Sequence, residues 1–160
     1  MGGIRFVTMV AVLGLGAGIS SATTACGGSS SKVALKIASN HKLKESIVVD
    51  AGGKTLYMLT AETNGTVRCV DDASFHCVKI WPPLTAKGKL RGGNGIDESL
   101  LGTTKRPGGQ IQITYNKHPL YYFNGYGSTP ADKKPGDVNG QLFGGVWYVL
   151  SPKGAPITHQ

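Results

Sequence analysis

The chain lacks the short motifs that identify most enzymes and haem proteins. It has no Gly-x-Ser-x-Gly nucleophile elbow, no His-Glu-x-x-His zinc motif, no phosphate-binding loop and no Cys-x-x-Cys-His haem attachment motif. The adjacent carboxylates Asp71 and Asp72 make a poor acid–base pair, because neighbouring side chains on a strand point to opposite faces. We therefore expect a non-enzymatic protein without a cofactor.

Charged residues are also scarce, at 16% of 160 residues, and no arginine-rich run or nucleic-acid-binding motif is present. The formal net charge is nevertheless +8, and the lysines are scattered as singles and pairs such as Lys133 and Lys134. Such a surface is typical of a protein beside an anionic bacterial envelope, and a groove for an anionic ligand is the alternative. No nucleic-acid partner is expected.

The start of the chain predicts export. Arg5 precedes an uncharged run over residues 6–19, which is too short to span a bilayer comfortably as a helix. Small and polar residues follow, so residues 1–25 are interpreted as a secretory signal peptide that is not part of the fold.

Cys26 comes directly after this signal and begins a stretch rich in Gly and Ser. The arrangement resembles a bacterial lipobox, with a lipidated Cys26 and a flexible tether over residues 26–32. Lipidation with more than one acyl chain is enough to anchor a protein stably on the outer side of the cell membrane. Thr23 departs from the pattern, which favours Leu at that place, and ordinary cleavage after Ala25 to a free secreted protein is the alternative.

Only three cysteines are present, and two remain when Cys26 is assigned to lipidation. An exported protein folds in an oxidising compartment, so Cys69 and Cys77 are predicted to form a disulfide. A thiolate metal site is the alternative, and it would require two further ligands and a reducing environment.

Residues 33–160 are predicted to form a single β domain, since short apolar runs alternate with turns rich in Gly and Pro. The domain contains two similar units, at about 46–86 and 111–152. Each has a hairpin (46–60 and 111–124), then a long loop, then a tryptophan (Trp81 and Trp147). Because neither hairpin is stable alone, we expect a small antiparallel β sandwich or barrel with approximate two-fold symmetry.

Six segments carry a resemblance to a known family, and they span nearly all of this domain. They are residues 55–57, 77–84, 112–116, 119–123, 135–141 and 147–148. Together they resemble a bacterial family called the secreted repeat of unknown function, described as lipoproteins with a Tyr-x-(Phe/Trp/Tyr)-x-x-Asp motif. The resemblance implies a fold and an extracytoplasmic location but no activity. At the place of the motif acid, this chain has Glu62 in the first unit and Tyr126 in the second.

Aromatic residues indicate a recognition surface, because they exceed what one face of a strand pair can bury. Alternation places Tyr121 and Phe123 on one side of their strand and Tyr122 on the other. With nearby lysines, such a surface would bind a glycan, a peptide or an envelope protein. Burial of both faces is the alternative. The predicted binding residues are Tyr57, Trp81, Tyr121, Tyr122, Tyr126 and Trp147.

A second hypothesis is a haem- or metal-binding redox lipoprotein. His76 and His118 occupy corresponding ends of the two units and could converge on an iron, with Met58 as a soft ligand. A surface position for each histidine and a core position for Met58 is the simpler interpretation. The residues Asp132, Asp137 and Asn139 could hold Ca²⁺, but their spacing matches no defined calcium loop and favours a turn.

Overall fold

The computed structural model describes residues 1–3 and 32–160. Residues 4–25 of the predicted signal peptide, the lipidation site Cys26 and most of the tether lie outside the described residues. Within the described part, no helix has both the length and the apolar character needed to cross a bilayer.

Short strands dominate residues 32–160, in agreement with a sequence of short apolar runs separated by turns. Two 3₁₀ turns, Glu98–Leu100 and Phe143–Gly145, complete the secondary structure of this part of the chain. The elements are β1 Lys32–Asn40, β2 Glu45–Asp50, β3 Tyr57–Leu59, α1 Cys77–Ile80, β4 Leu90–Gly92, β5 Leu101–Lys105, β6 Ile111–Tyr115, β7 His118–Pro119 and β8 Trp147–Val149.

These strands form three small sheets, with the orders β2-β1-β4, β3-β8 and β5-β6-β7. All pairs are antiparallel except β1 with β4. The all-β class is therefore confirmed. Within residues 32–160 the sheets do not close into a barrel. Segments outside the strands lie against them through single bridges, such as that between Tyr57 of β3 and Tyr121.

The central strands lie between two apolar clusters, which explains why they are apolar on both faces. In β2, for example, Ile47 and Val49 belong to one cluster and Val48 to the other, as the two-residue period of a strand requires. We call the first the aromatic cluster; it includes Tyr57, Trp81, Tyr121, Phe123 and Trp147. The second, the aliphatic cluster, includes Leu35, Val48, Leu56, Met58, Ile113, Tyr115, Leu120 and Leu150.

The first predicted hairpin, over residues 46–60, is only partly correct. A tight turn after β2 does return the chain, with Asp50 Oδ1 accepting from the N–H of Lys54 at 2.8 Å and a single bridge between Val49 and Thr55. β3 then pairs with β8, with Met58 opposite Tyr148, and not with β2. β3 therefore lies between β8 and the segment around Tyr121, to which Tyr57 forms a bridge.

The second predicted hairpin is confirmed. β6 and β7 are antiparallel, with Tyr115 opposite His118, and Asn116 and Lys117 form the turn between them. Both turn residues have positive φ, at 47° and 65°, which matches the twist of a two-residue hairpin. The return strand is shorter than predicted and ends at Pro119.

The two predicted units meet at their tyrosines and tryptophans. Tyr57 and Tyr121 exchange backbone hydrogen bonds, at 2.9 Å from the N–H of Tyr57 and 3.0 Å from that of Tyr121. The indoles of Trp81 and Trp147 stack with ring centroids 3.9 Å apart and planes inclined by 6°. The predicted Cys69–Cys77 disulfide is also present, and it fixes the loop that leads through α1 to Trp81.

Candidate functional site

Four of the six predicted binding residues are core residues and not part of a surface. Tyr57 and Tyr121 are fully buried, Trp81 is 1% exposed and Trp147 is 5% exposed. Each belongs to the aromatic cluster between the strands, where an external ligand does not reach. Counting aromatic residues overestimated the surface, because two opposed clusters bury both faces of the central strands.

Tyr122 is the fifth predicted binding residue and lies at the edge of the fold. Its hydroxyl donates to Asp50 Oδ2 at 2.9 Å, and the ammonium of Lys54 lies 5.8 Å from its ring centroid. Burial, followed by the nearby Asp50 charge, raises the pKa of the Tyr122 phenol. Tyr122 lines a small pocket beside β1.

Tyr126, the sixth, is 54% exposed and lies on a cleft with Phe75, which is 46% exposed. We call this feature the aromatic cleft; its volume is about 620 Å³. The cleft is lined by Ser74, Phe75, His76, Lys79, Ile80, Asn124, Gly125, Tyr126 and Gly127.

Hydrogen bonds hold the Phe75 wall of the aromatic cleft in place. Asp72 Oδ1 accepts from the hydroxyl and N–H of Ser74 and from the N–H of Phe75, all within 2.8 Å. These bonds close the turn, and they lower the pKa of Asp72, with the Ser74 hydroxyl contributing most. The sequence analysis missed Phe75, although an aromatic residue between Ser74 and His76 inside a disulfide loop has little room to be buried.

The opposite wall of the cleft is a tight turn in the second unit. Tyr126 and Thr129 exchange backbone hydrogen bonds of 3.0 Å, and the Tyr126 ring makes an edge-to-face contact with Phe143 at a centroid distance of 5.9 Å. Gly125 precedes the turn with φ of 86°, and a Cβ there would lie 2.8 Å from the backbone nitrogen of Ala131. The N–H of Asn124 donates to the carbonyl of Ile80 at 2.8 Å, which joins the two walls at their base.

A buried polar network lies next to the aromatic cluster on the side of the first unit. Glu62 is fully buried, and its Oε1 accepts from the N–H groups of Arg68 and Cys69 and from the hydroxyl of Tyr121, at 2.6, 2.7 and 2.9 Å. Arg106, 5% exposed, donates to the same hydroxyl at 3.2 Å, to Gln112 at 2.5 Å and to the carbonyl of Cys69 at 2.6 Å. The Tyr121 hydroxyl therefore connects a buried carboxylate and a buried guanidinium.

A related arrangement occurs on the side of the second unit. Asp132 Oδ2 accepts from the hydroxyl of Tyr57 at 2.5 Å, and its Oδ1 accepts from the N–H of Asn139 at 2.8 Å. Burial raises the pKa of Asp132 above its ordinary value. Each central tyrosine thus pairs with an acid from the other unit, and the second acid is Asp132, not the residue at the motif position, the exposed Tyr126.

The residues of the metal and haem hypothesis do not share one site. Met58 is 2% exposed and belongs to the aliphatic cluster, His76 lines the aromatic cleft, and His118 Nδ1 lies 2.9 Å from the carbonyl oxygen of Glu62. Among residues 32–160 no group of three or more His, Cys, Asp or Glu side chains is placed to hold a metal ion. Asp137, considered for Ca²⁺, accepts from the N–H groups of Lys133 and Lys134 in a turn.

Together these features define a small all-β protein with paired aromatic halves, a disulfide loop and an open aromatic cleft. Residues 102–151 match the model of a family described as a secreted repeat of unknown function, which confirms the resemblance over that segment. The match runs from β5 to the residues after β8 and contains Tyr121, Asp132 and Trp147. No curated protein and no solved structure matches the chain.

Proposed function

We propose that the protein is a non-enzymatic, lipid-anchored module on the outer side of the bacterial cell membrane, and that it binds a glycan of the cell envelope in the aromatic cleft. The main support for glycan binding is the position of Phe75 and Tyr126, whose exposed rings line the same cleft. Single exposed apolar residues are ordinary on a protein surface, whereas two large rings on one concave site mark recognition.

The chemistry of the cleft fits a sugar. Aromatic rings offer flat apolar surfaces to the C–H faces of a pyranose, while Lys79, His76 and Asn124 offer polar groups for hydroxyl or carboxylate substituents. The volume of about 620 Å³ lies within the range of small-molecule sites. Both walls are fixed by hydrogen bonds and one by the disulfide, so little ordering would oppose binding.

The lining also favours binding over hydrolysis. Cleavage of a glycosidic bond ordinarily requires two carboxyl groups flanking it. No Asp or Glu belongs to the described lining of the aromatic cleft. The buried acids Glu62 and Asp132 lie outside this lining and accept from tyrosine hydroxyls and backbone N–H groups.

Loss of both rings should abolish most of the glycan affinity. We expect Phe75→Ala with Tyr126→Ala to weaken retention on protease-treated, purified cell walls about 500-fold or more, since such anchors contribute about 2 kcal/mol or more each. The control is Ile111→Ala with Val146→Ala, which removes two other exposed apolar side chains that do not line the cleft. Equal retention of the two double variants, or retention only on walls that still carry protein, would contradict the glycan proposal.

Lipid anchoring has its own test. Mass spectrometry of the protein from its native envelope should show a mature chain that begins at an acylated Cys26, and Cys26→Ser should release the protein from the membrane fraction. Tethering through a lipid is supported by the position of Cys26 between the signal and a stretch rich in Gly and Ser. A mature chain without an acyl group on Cys26 would contradict lipid anchoring and would indicate a protein that is secreted without an anchor.

A further inference from the structure

A second pocket lies where the chain enters the domain, at the start of β1. Its volume is about 240 Å³, and apolar side chains, among them Leu84, Leu90 and Ile113, form part of its lining. Lys32 and Lys87 also line it, and both are exposed. We call this feature the β1 pocket. It combines an apolar interior with a cationic rim, which is the pattern expected for an amphiphile with an anionic headgroup.

We infer that the domain rests on the anionic bilayer through this face, with the β1 pocket and the lysines Lys32, Lys87 and Lys89 against the phosphate-bearing headgroups of phospholipids. The inference rests on the lipid anchor of the proposed function and is independent of glycan binding. It assigns an orientation, in which the β1 pocket faces the membrane.

Chain length restricts which face can lie near the bilayer. Lys32 comes six residues after Cys26, and six fully extended residues span at most about 20 Å. A lipid on Cys26 therefore holds the start of β1 within that distance of the headgroups. Lys89 is beside it, since its carbonyl accepts from the N–H of Lys32 at 3.0 Å.

The charge of the β1 pocket suits an anion. Two lining lysines, Lys32 and Lys87, outnumber the one lining carboxylate, that of Asp50, whose Oδ1 accepts from the N–H of Lys54 and whose Oδ2 accepts from the hydroxyl of Tyr122. Within residues 32–160, neither Lys32 nor Lys87 forms an ion pair that would neutralise it. The cationic rim is thus available to an external anion.

The size of the β1 pocket suits a headgroup and not a whole lipid. At about 240 Å³ it is smaller than the roughly 300 Å³ at which sites for drug-sized molecules begin. A glycerol phosphate group would bring its charge to Lys32 and Lys87 and its carbon atoms to Leu84 and Leu90.

The test uses the mature chain, residues 26–160, carrying Cys26→Ser so that no lipid contributes. The sheets and both apolar clusters are built from residues 32–160, so this chain keeps the whole described fold. We expect it to sediment with phosphatidylglycerol–phosphatidylcholine vesicles, to bind pure phosphatidylcholine far more weakly, and to be released by 0.5 M salt.

Lysine substitutions then locate the surface. Lys32→Gln, Lys87→Gln and Lys89→Gln together should lower partitioning onto the anionic vesicles by about 100-fold, at about fivefold for each lysine. The control is Lys133→Gln, Lys134→Gln and Lys153→Gln, which removes the same charge from other loops and should change partitioning by no more than about twofold. Phe75→Ala with Tyr126→Ala should bind vesicles like the parent, which separates this inference from the glycan proposal.

Four results would overturn the inference. Equal losses for the two lysine triplets would mean that net charge alone attracts the protein. Equal binding to phosphatidylcholine, or no binding to either vesicle, would remove the anionic bilayer as the partner. Complete release by soluble glycerol phosphate, at concentrations equal to the accessible lipid, would identify a site for a free anion instead.

Discussion

Replacement of Trp81 by alanine should lower the free energy of unfolding by about 3–5 kcal/mol, the range observed when large aromatic residues are removed from protein cores. Trp81 is 1% exposed and stacks on Trp147, with ring centroids 3.9 Å apart. Its indole also contacts Phe123 and Tyr57, at centroid distances of 4.5 and 5.4 Å. Alanine would leave a cavity among rings from both halves of the fold, and the close-packed core around it would close it only in part.

Urea denaturation measures this change, and Tyr126→Ala is the matched control because its ring is exposed. We expect the control to change the free energy of unfolding by no more than about 0.5 kcal/mol. Circular dichroism gives a second signal, since two indoles stacked this closely couple their transitions. That coupled signal should disappear in both Trp81→Phe and Trp147→Phe. A loss of stability below about 1 kcal/mol for Trp81→Ala would mean that the stack is not central to the core.

Local sequence patterns predicted where strands and turns lie better than they predicted which strands pair with each other. The positions of Asn116 and Lys117 between two β-prone runs indicated the second hairpin, and the period of two placed Tyr121 and Tyr122 on opposite faces. The pairing of β3 with β8 could not be predicted in this way. These strands are far apart in the chain, and the apolar pattern of β3 fits several neighbours equally well.

The residues of the candidate site were also hard to predict from local sequence patterns. Four core residues were predicted at a surface: Trp81, Tyr57, Tyr121 and Trp147. The sequence shows how many aromatic residues there are, but not how deeply each is buried. Burial depends on the second apolar cluster, which forms only when distant strands meet. Asp132 was not predicted as the partner of Tyr57, because it lies 75 positions further along the chain. A local motif would place the acid only a few residues from the tyrosine. Contacts between distant parts of the chain thus determine which polar side chains are buried and hydrogen-bonded in the core.

The polar network around Glu62 gives the second large effect. Glu62→Ala should lower the free energy of unfolding by about 3–5 kcal/mol, since it removes the acceptor of three buried or partly buried donors, each of which costs about 1–3 kcal/mol when left unpaired. The donors are the N–H groups of Arg68 and Cys69 and the hydroxyl of Tyr121. The buried guanidinium of Arg106 also loses its nearby negative charge, to which the Tyr121 hydroxyl connects it.

Glu62→Gln separates the loss of the acceptor from the loss of the charge, because it keeps one acceptor oxygen and replaces Oε2, which has no hydrogen-bond partner, by a neutral NH2 group. We expect it to restore more than half of the stability that Glu62→Ala loses. Glu98→Ala is the control, since Glu98 is exposed and accepts a single backbone N–H, from Gly92. A double-mutant cycle of Glu62→Gln with Tyr121→Phe should give a coupling of about 0.5–3 kcal/mol, as expected for residues in one hydrogen-bond network. Additive effects in that cycle would mean that carboxylate and hydroxyl act independently, and the link from Glu62 to Arg106 would then carry no energy.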